Sequence, residues 1–98
     1  MINEVRLSGG LTADPEVNSF GDSGGQVANF NIGFDTGNYK QPHGYIRCTA
    51  WNDTAAEVAQ LRKASQVTLK GTLGFDQWTD KKDGSKRSQN TLTVTEVS

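Results

Sequence analysis

Residues 45–75 have the sequence YIRCTAWNDTAAEVAQLRKASQVTLKGTLGF, and this stretch decides the fold. Apolar and polar residues alternate over 45–51 and again over 67–75, which is the period of a strand with one buried face. Between these segments, Thr54-Ala55-Ala56-Glu57 has the spacing of a capping box, and apolar residues recur at helical spacing up to Arg62-Lys63. The stretch therefore predicts a strand, a short helix and a second strand.

The same alternation occurs in three further segments, residues 4–11, 27–34 and 91–95, so the sequence predicts five strands. Their apolar faces comprise Val5, Leu7, Gly9 and Leu11; Ala28, Phe30, Ile32 and Phe34; Ile46, Cys48 and Ala50; Val67, Leu69, Gly71, Leu73 and Phe75; and Leu92 and Val94. Strands with one polar face suit an antiparallel sheet. Asp83-Gly84 is a strong signal for a hairpin turn.

The number of strands and the place of the helix favour a barrel. An open five-stranded sheet would leave its apolar face uncovered, whereas closing the sheet buries that face and removes the exposed edges. Gly9-Gly10 and Gly71 fit the kinks that closure needs. The sequence therefore predicts an all-β fold, a five-stranded OB-fold Greek-key barrel with one short helix between strands three and four, formed by residues 1–98 as one domain. The alternative is a two-layer α+β sandwich.

Composition excludes several classes of protein. The 98 residues include ten basic and 11 acidic ones, for a formal net charge of -1, so binding of nucleic acid by bulk positive charge is excluded. One cysteine excludes a disulfide framework and a cysteine-rich zinc site. Neither a membrane span nor a signal peptide is recognisable, which predicts a cytoplasmic location. No metal, no cofactor and no catalytic residues are expected, because no motif for them is present.

Aromatic residues on the predicted solvent-facing side indicate a function. Tyr45, Arg47 and Trp51 alternate with the buried residues of the third strand, and Trp78 continues the outward parity of the fourth. Aromatic side chains clustered on a solvated face need a reason. Such rings can stack on nucleobases with little sequence preference, and a guanidinium between them can pair with a phosphate or stack on a base.

Cationic residues accompany these rings. Tyr39-Lys40, in the loop after the second strand, repeats the pairing of ring and cation, and Lys70 is a candidate phosphate contact. The hairpin after Trp78 contains four of the ten basic residues, and a mobile cationic arm could follow a phosphate backbone. These four are Lys81, Lys82, Lys86 and Arg87. The alternatives are a merely solvated hairpin tip, packing of Trp51 against the helix and an oligomer contact for Tyr45.

Several short motifs occur in a specific order and spacing. They are NEVRLSGGL at 3–11, DPEV at 14–17, GQVANF at 25–30, the helix at 54–63 followed by SQV at 65–67 and KGTL at 70–73, and WTD at 78–80. In this arrangement nearly the whole chain resembles the bacterial single-stranded DNA-binding protein family. Members bind single strands on OB-folds, usually as homotetramers, in DNA replication, recombination and repair.

The resemblance implies roles for individual residues and a set of partners. Trp78 matches a stacking tryptophan of the family, and Trp51 stands where the family usually has a stacking phenylalanine. Tyr45 stands in the place of another tryptophan, and Tyr39 approximately matches a third aromatic residue in a shortened loop. The implied partner is single-stranded DNA, and the implied state is a homotetramer, with a dimer as the alternative, associated with the nucleoid.

Two features depart from the family pattern. Members usually continue into a Gly/Pro-rich linker and an acidic tip that recruits repair and replication proteins, whereas this sequence stops at Glu96-Val97-Ser98. It is therefore either a piece of a longer protein or a protein without that recruitment. The chain also has fewer cations than typical members, which predicts a shallower salt dependence of binding. A chain without the tail also resembles the dimeric primosomal protein N class, for which the aromatic face would be a protein interface.

Overall fold

The computed structural model describes residues 1–22 and 24–98. The elements follow in the order β1 (Val5–Leu11), β2 (Glu16–Phe20), β3 (Gly25–Asp35), β4 (His43–Trp51), α1 (Asn52–Val58), β5 (Gln66–Thr79) and β6 (Lys86–Val97). The five predicted strands correspond to β1, β3, β4, β5 and β6. Neighbouring strands run antiparallel except β4 and β6, which are parallel. The structure thus confirms a mainly β fold with a short helix after the third predicted strand.

Five strands close into a ring in the order β1–β5–β6–β4–β3, because β3 pairs back onto β1. The closing contact is short: Gly10 and Leu11 lie opposite Gly33 and Ile32. This ring is the barrel that the sequence predicts, and it excludes the two-layer sandwich. β2 lies outside the ring and pairs with β3 alone among the described strands.

Glycines allow the strands of the ring to approach one another closely. A Cβ atom on Gly9 would collide with the carbonyl oxygen of Gly33, and one on Gly71 would collide with that of Thr93. Backbone atoms cannot move aside as a flexible side chain can, so a larger residue at either position would push two strands apart. These contacts agree with the part in closure that the sequence assigns to both glycines.

The interior of the barrel is one apolar core. Its buried members are Leu11, Ala28, Phe30, Ile32, Cys48, Ala50, Ala55, Val58, Val67, Leu69, Leu92 and Val94. Ala55 and Val58 belong to α1, which packs against β3, β4 and β6 and so covers part of this core. No polar or charged side chain is buried among the described residues. Within that same part of the chain, no helix has the length and hydropathy needed to cross a membrane.

The helix differs from its prediction at both ends. It begins at Asn52, two residues before the predicted capping threonine, and it ends at Val58 rather than near Lys63. The residue that precedes it makes no side-chain capping hydrogen bond, and the hydroxyl of Thr54 donates to the carbonyl of Thr95 instead, at 3.5 Å. The predicted capping box is therefore wrong, because Thr54 lies within the first turn and faces β6.

The outer half of β5 also differs from its prediction. Leu73 and Phe75 alternate in phase with the core residues of the strand, yet they are 43% and 64% exposed. Here β5 and β6 project from the ring as a two-stranded hairpin that pairs as far as Thr79 and Lys86. Alternation predicts which side of a strand a residue occupies, but it does not predict where the covering layer ends.

Substitutions along β5 test where the core ends. Leu69→Ala removes a fully buried side chain and should lower the free energy of unfolding by about 2–5 kcal/mol. Leu73→Ala, the matched change on the same side of the same strand, should cost about 1 kcal/mol or less, because its side chain is already half-exposed. Urea titrations of both variants measure the difference. An equal decrease in the free energy of unfolding for Leu69→Ala and Leu73→Ala would contradict the placement of the core boundary between these residues.

Cys48 provides a second test of the core, through pH. Burial raises the pKa of its thiol to about 12, whereas a thiol in an unfolded chain titrates near about 8.5. The folded state therefore keeps a proton that the unfolded state loses, so stability should fall as pH rises from about 8.5 towards 12. Urea midpoints at pH 8 and pH 10 for the wild type and Cys48→Ala isolate this effect. If the difference in urea midpoint between the wild type and Cys48→Ala is the same at pH 8 and pH 10, the buried thiol does not have this effect.

Candidate nucleic-acid interface

The outward side of β4 carries Tyr45, Arg47, Thr49 and Trp51, because the alternate residues are committed to the core. Tyr45 is 71% exposed and Trp51 is 49% exposed, so both rings face solvent, as the alternation predicts. Opposite them on β3 stand Gly33, Asn31, Asn29 and Val27, respectively. Arg47 thus lies between two exposed rings on a strand whose neighbour presents small or uncharged side chains.

Trp51 is supported by an aromatic neighbour that the sequence interpretation missed. The ring centroids of Trp51 and Phe20 are 5.5 Å apart, and the ring planes meet at 81°. Phe20 itself lies across Gly25, where a Cβ atom would be 2.6 Å from the phenyl ring. An edge-to-face pair contributes about 0.5–1.5 kcal/mol beyond its buried area. Phe20 therefore restrains the indole on the surface and extends the aromatic area onto β2.

Trp78 lies on the same outward side, near the end of β5. Its indole is 47% exposed, and it stands opposite Arg87 of β6. Arg47 is level with Thr91, four residues further along β6, so the register places Arg47 and Trp78 roughly 16 Å apart across two strand spacings. One outward surface therefore joins β4 to the hairpin.

Threonines line the middle of this surface. Thr49 is level with Thr93 on β6, which stands opposite Thr72 on β5. Thr91, the next outward residue of β6, stands opposite Gly74. Asp76, opposite Gln89, follows on the same side before Trp78. The aromatic residues are thus connected by a hydroxyl-rich strip with one carboxylate next to Trp78, and Arg47 is the one lysine or arginine on β3 and β4.

The tip of the hairpin, for which the sequence predicts a mobile cationic arm, is a hydrogen-bonded turn. The amide of Asp80 donates to the carbonyl of Ser85, and the carboxylate of Asp83 accepts from the hydroxyl of Ser85 at 2.6 Å. Hydrogen bonds from Ser85 lower the pKa of the Asp83 carboxyl. Arg87 Nε lies 3.5 Å from Asp80, and its Nη2 lies 3.6 Å from Asp83. Arg87 therefore forms ion pairs with two carboxylates, which partly neutralise its charge.

The other lysines of the hairpin remain available. Lys81, Lys82 and Lys86 are exposed, and no carboxylate lies within 4.0 Å of them among the described residues. Asp80 accepts the backbone amide of Lys82 at 2.9 Å, so this lysine projects from a hydrogen-bonded turn. Three of the four predicted cations of the hairpin thus present an unpaired charge beside Trp78.

Tyr39 and Lys70 lie apart from the main group. Tyr39 is 87% exposed in the loop between β3 and β4, a loop closed by a 2.7 Å hydrogen bond from Thr36 Oγ1 to the carbonyl of Gln41. Lys70 Nζ lies 3.5 Å from Glu4 Oε1, and Lys70 shares a charged surface with Arg6. The structure therefore does not bring Lys70 together with the rings of β4.

Comparison with known proteins places the chain in a family. Residues 2–98 match the model of the single-strand binding protein family. A single-stranded DNA-binding protein of Deinococcus radiodurans is 35% identical over 103 residues, which cover 98% of this chain and 33% of that protein. Single-stranded DNA-binding protein 1 of a Synechocystis species is 33% identical over 97 residues, covering 95% of this chain and 78% of that protein. The chain thus spans one third of the first relative's length and about three quarters of the second's.

Two solved structures share the fold. The crystal structure of a deletion mutant of the single-stranded DNA-binding protein from Thermus aquaticus has a TM-score of 0.78 at 21% identity, covering 99% of this chain and 40% of that chain. The SSB domain of a Synechococcus protein has a TM-score of 0.75 at 21% identity, covering 99% and 94%. These likenesses, the ring of five strands and the helix between β4 and β5 confirm the predicted OB-fold. Because the family model matches residues 2–98, the chain belongs to the single-strand binding protein family.

Proposed function

We propose that this chain binds single-stranded DNA, largely without sequence specificity, and that it acts as a binding protein rather than as an enzyme. The observation that carries the proposal is the position of Trp51, Trp78 and Tyr45 on one outward surface of a barrel whose interior is already filled. Every base has a π-face, so exposed rings can hold any unpaired base, at about 1–3 kcal/mol per stacked base. The names of the relatives from Deinococcus and Synechocystis support the same activity.

Each predicted site residue has a proposed part in this activity. Trp51, in contact with Phe20, and Trp78 stack bases at the two ends of the surface, with Tyr45 between them, and Tyr39 stacks a base from the loop between β3 and β4. The cations contact phosphates, and those without ion-pair partners contribute most. These are Lys81, Lys82 and Lys86; Arg47 also lacks an ion-pair partner among the described residues, but carboxylates lie around it, so it contacts bases rather than phosphates. Lys70 and Arg87 also contact phosphates, but less strongly, because each would have to exchange a carboxylate for the phosphate.

We also propose that the protein works as a homo-oligomer, a tetramer with a dimer as the alternative, on the nucleoid in the cytoplasm. Exposed apolar side chains before β1 and on the outer half of β5 support the oligomer. Asn3 makes two hydrogen bonds of 2.8 Å to the backbone of Leu73, which hold the segment before β1 beside β5. Met1, Ile2, Leu73 and Phe75 are all exposed in the single chain, and a second chain would cover them.

A protein-interaction module of the primosomal protein N type is the second candidate. The net charge of -1 and the ion pairs of Arg87 favour it, because both reduce attraction to a polyanion. In that case the aromatic surface is an interface between proteins. Light scattering separates the candidates: a smaller particle after Trp51→Ala or Trp78→Ala, with unchanged affinity for DNA, would favour the interaction module.

Stacking predicts the effect of removing single rings. Trp51→Ala and Trp78→Ala should each weaken binding of oligo(dT) by about 1–3 kcal/mol, and Phe20→Ala should weaken it less, because Phe20 acts mainly through Trp51. Fluorescence anisotropy of labelled oligo(dT) measures these affinities. Phe75→Ala, an exposed ring on the other side of β5, is the control and should leave affinity unchanged, provided light scattering shows the same particle mass. Equal losses at Trp78 and Phe75 would contradict the assignment of the surface.

The few unpaired cations predict a shallow salt dependence. With about three phosphate contacts, log K should fall against log[salt] with a slope of about -2, since each contact contributes about 0.7 for a single strand. Lys82→Gln should reduce the magnitude of the slope by about 0.7. Lys70→Gln should change it less, because Glu4 already neutralises Lys70. Anisotropy titrations over a series of NaCl concentrations measure the slopes, and a larger effect at Lys70 than at Lys82 would contradict this distribution of contacts.

A further inference from the structure

A groove of about 260 Å³ opens beside Arg47, on the outward side of β2 and β3. Its walls include Asp14, Glu16, Asn29, Asn31 and Arg47. Arg47 lies between Tyr45 and Trp51 along β4, so a strand that stacks on both rings passes this groove. A role for the groove in contacting a base rests on the proposed binding of single-stranded DNA.

The strongest donor and the strongest acceptor of the groove do not pair with each other. Among the described residues, no carboxylate lies within 4.0 Å of Arg47, and Glu16 makes neither an ion pair nor a side-chain hydrogen bond. Asp14 is already engaged, because its Oδ1 accepts the amide of Lys63 at 2.7 Å. Asn29 Oδ1 accepts from the hydroxyl of Thr49 at 3.1 Å, which leaves the amide NH₂ of Asn29 as a free donor. The groove therefore offers unused hydrogen-bonding groups of both kinds.

The charge of the groove disfavours a phosphate. Asp14 and Glu16 place two carboxylates around the single guanidinium of Arg47. A phosphate held there would be repelled by two charges and attracted by one. A nucleobase is neutral and can use the carboxylate as an acceptor, so the groove suits the edge of a base.

The register of the strands gives the span between the two free groups. Glu16 stands opposite Asn29, and Arg47 stands opposite Asn31, so Glu16 and Arg47 are two strand spacings apart across β3 and two residues apart along it. Their Cα atoms are then roughly 12 Å apart. Both side chains lie on the outward side, and the absence of an ion pair between them leaves a gap across β3. A base lying over β3 can therefore contact Glu16 with one edge and Arg47 with another.

Guanine is the base whose edges match these groups. Its N1–H and N2–H₂ are adjacent donors that one carboxylate can accept together, and its O6 and N7 are adjacent acceptors for one guanidinium. Adenine and cytosine lack the adjacent pair of donors, and thymine has a single N–H between two carbonyls. We propose that the groove is a guanine subsite, in which Glu16 accepts from N1–H and N2–H₂ and Arg47 donates to O6 and N7.

Oligonucleotides that differ at one base test the subsite. The probes are labelled oligo(dT) strands with a central dT, dG, deoxyinosine, which lacks the 2-amino group, or 7-deazaguanine, which lacks N7. The dG strand should bind at least about fivefold more tightly than the dT strand, because a bidentate contact discriminates between bases by at least that factor. Deoxyinosine and 7-deazaguanine should each lose most of this gain, although they stack much as guanine does.

A matched pair of variants separates the subsite from general charge effects. Glu16→Gln should remove the preference for dG while oligo(dT) binds as well as or better than before, because a negative charge is lost. Glu57→Gln, an exposed carboxylate on α1 outside the groove, should keep the preference. The ratio of the dG and dT affinities is the readout, since both strands carry the same phosphates.

Each outcome decides a different claim. Equal affinity for the dG and dT strands in the wild type overturns the guanine subsite and leaves base stacking intact. A preference that survives Glu16→Gln also overturns it, because the selectivity would then arise elsewhere. If none of the strands binds at low salt, the proposed function itself is wrong.

Discussion

Closure of the sheet between β1 and β3 is the contact on which the rest of the structure depends. Two residue pairs make it, Gly10 with Gly33 and Leu11 with Ile32, and both apolar partners are buried in the core. Once the ring is closed, the inner side of every strand is filled. A residue of opposite parity then has no position except the outer surface. Trp51 faces solvent for this reason, because the adjacent Ala50 occupies the interior.

The sequence predicts the ring and its inward residues well, because both follow from the two-residue period of a strand. It does not predict β2, since Val17 is the one residue of that strand that packs against the core. The sequence therefore could not predict the contact of Phe20 with Trp51. Once β2 is known, the even spacing of Glu16 and Phe20 shows that both face outward. The helix start is misplaced because the capping pattern of Thr54 is local, whereas contact with β6 determines where its hydroxyl points.

Charge is the feature that composition describes least well. Counting cations in the hairpin does not reveal that Arg87 lies between Asp80 and Asp83, because those contacts arise only when the turn folds. The same holds for Lys70 and Glu4, which are 66 residues apart in sequence and meet where β1 lies beside β5. Part of the positive charge is therefore neutralised within the protein. In the proposed binding of single-stranded DNA, stacking then supplies a larger share of the binding energy than the cations do, and salt should affect binding less.

The central claim is that Trp51 and Trp78 hold unpaired bases on the outside of a closed barrel. These are the two tryptophans of the chain, so protein with ¹⁵N-labelled indoles gives two side-chain N–H resonances that can be followed by NMR during a titration with oligo(dT). We expect both resonances to shift until the oligonucleotide saturates the protein, and to move little when duplex DNA of the same length is added. Binding of oligo(dT) that leaves both indole resonances unmoved would contradict the claim.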